Sequence, residues 1–120
     1  MKVLIGNSWP MTLFRRQALV SPITLNALRN RIKTAEVFSF WGHENTVAAV
    51  SAMLDRDLTP RKPRPTIILN DKRYPTLYGV EFRVVYIVTP KIFDESKRLH
   101  AGESLNAFDI AYWKAVQITF

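Results

Sequence analysis

Phe40-Trp41-Gly42-His43-Glu44-Asn45-Thr46 runs directly into Val47-Ala48-Ala49-Val50-Ser51-Ala52-Met53-Leu54. An aromatic, β-favouring segment over residues 36–41 ends at a glycine, and one of two histidines follows. Val47, Val50 and Leu54 then repeat at helical spacing with small residues between them, which predicts a helix over Glu44–Leu54. The small residues allow that helix to approach a sheet, or a second copy of itself, closely. Glu44 in its first turn suits the helix dipole. A strand–Gly–His–helix junction aims a titratable ring and free backbone N–H groups at one spot, where a phosphate group fits.

Working outward, Val3-Leu4-Ile5 between Lys2 and Gly6 reads as a short buried strand, and Asn7-Ser8-Trp9-Pro10 as the loop after it. Residues 11–20 fit no single template. Ser21-Pro22 has the form of a helix start, with Ile23, Leu25, Leu28 and Ile32 as its apolar face. Pro60-Arg61-Lys62-Pro63-Arg64-Pro65 is a stiff, basic connection. Residues 66–69 form a strand and Asn70-Asp71-Lys72-Arg73 a reversal. Residues 80–88 make the longest strand candidate, stopped by Thr89-Pro90 with Lys91 at its carboxyl end. A short helix is expected over 93–99, broken at Ala101-Gly102. A final strand over 109–120 carries Ile110, Tyr112, Val116 and Ile118 on one face. The pattern predicts an α+β fold: a mixed sheet of about five strands flanked by two or three helices, in one domain over residues 1–120.

The bulk composition agrees. The 120 residues suffice for one domain with a real core, and 48% hydrophobic with 22% charged residues is typical of a globular chain. Absence of cysteine excludes disulfides and thiolate metal sites and fits a reducing compartment. The apolar start breaks at Asn7 and Pro10, too early for a signal peptide, and no apolar run approaches a membrane span. A soluble, cytoplasmic protein without membrane contact is expected. Seventeen Lys+Arg against ten Asp+Glu give a net charge of +7, which favours an anionic partner without naming it.

No glycine-rich phosphate loop, paired-histidine metal motif or serine-nucleophile motif is present. His100 lies far from His43, which argues against a shared zinc site, so no metal and no cofactor is expected. Metal-independent acid–base chemistry by His43 is the economical enzymatic reading. A helix N-terminus lowers an imidazole pKa, whereas a bound phosphodiester raises it. A lone histidine is more often structural or merely exposed than catalytic.

Gly42-His43-Glu44-Asn45-Thr46 followed by VAAVSAML is similar to the motif of the viral anti-CRISPR ring nucleases, which degrade cyclic tetra-adenylate, the messenger of type III CRISPR defence. The opening VLIGNSW resembles that family's first strand and Asn-containing loop. Lys62-Pro63-Arg64 sits where the family has Asn-Arg, and Val88-Thr89-Pro90-Lys91 resembles a strand end that carries an arginine. The likeness is specific around residues 42–54.

The resemblance implies a homodimer that receives the ring on its two-fold axis. A ribose 2′-hydroxyl attacks the neighbouring phosphate, and His43 as general acid protonates the departing 5′-oxygen. Asn7, Thr12, Asn45, Thr46, Arg64 and Lys91 become ligand or phosphate contacts. The chain departs from the pattern in Lys91 for arginine, in Asp55 for a glycine after the helix, in Trp9 and Pro10 after Asn7, and in an apparent insertion over residues 70–79. Lysine cannot grip a phosphate through two parallel bonds as arginine does. Two alternatives therefore stand beside the ring nuclease. One is a sponge that binds a cyclic nucleotide without cutting it. The other is a basic adaptor that holds long nucleic acid or an acidic protein through Arg61, Lys62 and Arg64.

Overall fold

The run Val3-Leu4-Ile5 has no polar face, so its strand must be covered on both sides. In the computed structural model, which describes residues 1–42, 44–60, 66–92 and 110–120, β1 (Lys2–Gly6) lies inside a five-stranded sheet. The strand order is β2 (Leu19–Ile23), β8 (Ile110–Thr119), β7 (Val84–Ile92), β1, β3 (Glu36–Ser39). β1 is parallel to β3 and β7, whereas β8 is antiparallel to β7 and β2, so the sheet is mixed. A second, three-stranded antiparallel sheet contains β4 (Ile68–Leu69), β5 (Pro75–Leu77) and β6 (Val80–Glu81). With α1 (Leu25–Ile32) and α2 (Glu44–Leu54), the fold is α+β.

Alternation along the strands divides the core into two layers. Val3, Ile5, Tyr86, Val88 and Ala115 face the helices and pack with Leu28 and Ile32 of α1 and Val50 and Leu54 of α2. Leu4, Val85 and Ile118 face the other way, against Leu77 and Phe82 beside the small sheet and against Phe40. Trp9, Phe14 and Phe120 extend that second layer. Helices thus cover one face of the main sheet, while the small sheet and an aromatic loop cover the other. The apparent insertion over 70–79 supplies much of this cover: Asn70 to Arg73 make the expected reversal, and Tyr78 and Gly79, both at positive φ, join β5 to β6.

Four local expectations change. Ser21-Pro22 lies in β2, not in a helix. β2 is an edge strand, where a missing N–H need not break the ladder, and Thr24 caps α1 by accepting from the Ala27 N–H at 3.1 Å. Residues 80–88 are not one strand: the chain breaks at Phe82-Arg83, ending the small sheet and entering the large one. Thr89-Pro90 does not stop β7. Beyond Ile87 that strand has no β1 residue beside it and pairs with β8 alone, so Pro90 sits on a locally free edge. Finally, β8 is covered on both faces, with Trp113 and Ala115 packed towards the helices and Ile118 towards the small sheet. The expected helix over 93–99 and the break at 101–102 lie outside the described residues.

Candidate ligand cleft at the strand carboxyl ends

Parallel pairing brings the carboxyl ends of β1 and β3 to the same edge of the sheet, the usual place for a ligand in sheets of this kind. Asn7 leaves β1 there, and Phe40-Trp41-Gly42 leaves β3 towards α2. The turn is held by consecutive bonds. The Phe40 N–H donates to the Ile5 carbonyl at 2.9 Å, Trp41 N–H to Ser39 Oγ at 3.2 Å, and Gly42 N–H to Asn7 Oδ1 at 2.7 Å. The donors expected to be free at Trp41 and Gly42 are therefore engaged. The Trp41 indole N–H donates to Thr46 Oγ1 at 2.8 Å, with Trp41 only 1% exposed and Thr46 6%. This bond joins the turn to the first turn of α2 from the inside.

Gly6 has a packing reason. A Cβ there would stand 2.3 Å from the Phe40 ring, which lies against the backbone at that point. Phe40 in turn meets Trp9 edge-on, with centroids 5.6 Å apart. Beside these rings opens a cleft of about 390 Å³, within the range of small-molecule sites. Asn7, Ser8 and Thr12 give it polar walls, while Phe40 and Ile67 give it apolar ones. Because the Gly42 N–H takes Oδ1, the Asn7 carboxamide keeps its NH₂ end for another acceptor.

Of the residues singled out in the sequence, Asn7 and Thr12 line the cleft. Thr46 is buried against Trp41, on the helix side of the sheet. Lys91 is exposed on β7, opposite Tyr112 and four residues past Ile87, which pairs with Gly6. At strand rise that is roughly 13 Å beyond the end of β1. Asn45 belongs to the first turn of α2, with its side chain outside the described atoms, and His43 and Arg64 lie outside the described residues. Ser8, Phe40, Thr66 and Ile67 were not anticipated as lining residues. A polar residue beside Asn7 was the available signal for Ser8, while the other three depend on long-range packing.

Among the described residues, no three His, Cys, Asp or Glu side chains converge, and no helix is long and apolar enough to cross a membrane. No protein-family model and no curated protein matches the chain. Among solved structures, it is similar in fold to B116 of Sulfolobus turreted icosahedral virus, with a TM-score of 0.56 and 14% identity over 100% of both chains. At that identity the likeness defines the fold alone.

Proposed function

We propose that this chain is a viral, metal-independent ring nuclease that binds and linearises cyclic oligoadenylate, with cyclic tetra-adenylate the first candidate, and so counters type III CRISPR signalling. The observation that carries the reading is the 2.7 Å bond from the Gly42 N–H to Asn7 Oδ1 at the wall of the cleft. It ties the loop after the first strand to the turn that bears His43 in sequence, the two segments on which the motif resemblance rests. The viral source of B116 is consistent with a viral origin.

In the reaction, a ribose 2′-oxygen forms a bond to the adjacent phosphorus and the bond from phosphorus to the 5′-oxygen breaks. His43 gives its proton to that leaving oxygen, which leaves a linear di-adenylate with a cyclic 2′,3′-phosphate end. Arg64 and Lys91 supply positive charge for the phosphorane, and Asn7, Thr12, Asn45 and Thr46 serve the ligand around it. The working unit is a homodimer of one domain per protomer, its two-fold axis matching the symmetry of the ring.

Incubation with a panel of cyclic oligonucleotides in EDTA, followed by chromatography, tests this directly. Linear product is expected, with His43→Ala retaining binding and losing about 100-fold or more of the cleavage rate. If that variant loses binding together with cleavage, His43 is not the acid. The second reading, a non-cleaving sponge, is favoured by Lys91 in place of the arginine. Tight binding with intact ligand after prolonged incubation selects it.

A further inference from the structure

The protein's excess charge is concentrated where the small sheet meets the loop before β2. Arg16 Nη1 donates to the Lys72 carbonyl at 3.0 Å, and Arg73 Nη1 donates to the Arg15 carbonyl at 3.3 Å, so two basic segments lie against each other. The guanidinium carbons of Arg16 and Arg83 stand 3.7 and 4.5 Å from the centroid of one buried ring, Tyr74. Five cations from three segments thereby share one surface. Its carboxylates are Asp71 and Glu81. The Asn70 amide, with Arg83 as a lesser cause, holds the Glu81 carboxyl below its ordinary range, and Glu81–Arg83 at 3.3 Å is the only ion pair among the described residues.

The side chains of Arg15 and Lys72 decide what this surface is for. The clamp uses only their backbone carbonyls, and both side chains are exposed. Neither is needed to hold the fold, yet the bonds at their own peptide groups fix where they stand. Tyr74, the aromatic residue of the cluster, is covered by guanidinium and closed to a stacking base. A surface of positioned cations with no open aromatic face reads phosphates and not bases.

We propose that Arg15, Arg16, Lys72, Arg73 and Arg83 form a sequence-independent binding surface for the phosphate backbone of nucleic acid. None of the five lines the cleft, so this surface neither requires nor replaces a cyclic ligand there.

Fluorescence anisotropy with a labelled, mixed-sequence 20-base-pair duplex, repeated across salt concentrations, is the test. Binding of the unaltered protein should weaken steeply with salt, by a slope of about 0.9 per phosphate neutralised. The double variant Arg15→Gln, Lys72→Gln should lower that slope by about two and weaken low-salt binding about tenfold or more. Its melting temperature and its handling of cyclic oligonucleotides should not change. If the double variant folds poorly, each single variant should lower the slope by about one. The Asn7→Asp variant should bind the duplex with an unchanged slope. No duplex binding at low salt, or binding indifferent to Arg15 and Lys72, overturns the proposal. So does a poly-glutamate peptide that binds more tightly than the duplex through the same residues.

Discussion

Asn7 uses the two ends of one carboxamide for two purposes. Its oxygen satisfies the half-buried Gly42 N–H at 2.7 Å, and its NH₂ group stands on the cleft wall. Asn7→Ala leaves that N–H without a partner and should cost about 1–3 kcal/mol in urea unfolding. Asn7→Asp keeps the acceptor while exchanging a donor for a negative charge. It should therefore unfold like the unaltered protein yet lose affinity for cyclic oligonucleotides, measured by calorimetry. Equal ligand affinity in the aspartate variant would remove Asn7 from the ligand site and leave it a purely structural residue. Thr46 makes the contrasting case, because its hydroxyl is spent inside the protein on the Trp41 indole.

The helix Glu44–Leu54 was legible in sequence because its apolar spacing is local. Its end shows how a departure from the family pattern is absorbed. Asp55 stands at φ 54°, the left-handed conformation that usually falls to glycine after a helix. The Asp55 N–H donates to the Ala52 carbonyl at 3.3 Å and the Arg56 N–H to the Ser51 carbonyl at 3.0 Å, so the capping pattern forms in full without the glycine. Removing the Cβ relieves the backbone penalty. Asp55→Gly should raise stability by about 0.5–1 kcal/mol, read as a higher melting temperature with no change in ligand binding. A lower melting temperature would mean that the Asp55 side chain contributes more than its backbone costs.

At the scale of the molecule, the main sheet separates two surfaces with different chemistry. Its far face is covered by the small sheet and aromatic loop, where the cleft and the basic clamp lie. The helices cover the near face, and Ala48 and Ala52 of α2 point outward as small exposed residues one turn apart. The homodimer proposed for the ring nuclease should appear in light scattering as twice the 13.9 kDa protomer mass. A monomer that still linearises the ring would sever the reaction from the two-fold axis.

The sequence by itself determined β1, α2, the reversal at residues 70–73 and the α+β class. Each rests on neighbours within a few residues, where periodicity and turn chemistry are decisive. Tertiary structure decided the rest. Pro22 enters a strand because β2 is an edge, and Pro90 stays in one because β7 outruns β1. Asn7 meets Gly42 across 35 positions, and Arg16 meets Lys72 across 56. Those contacts are made only once the sheet order is set, so no local signal announces them. The Gly42 junction was visible as a turn before a helix, but its donors are taken by Ser39 and Asn7, a fact fixed by which strands lie side by side.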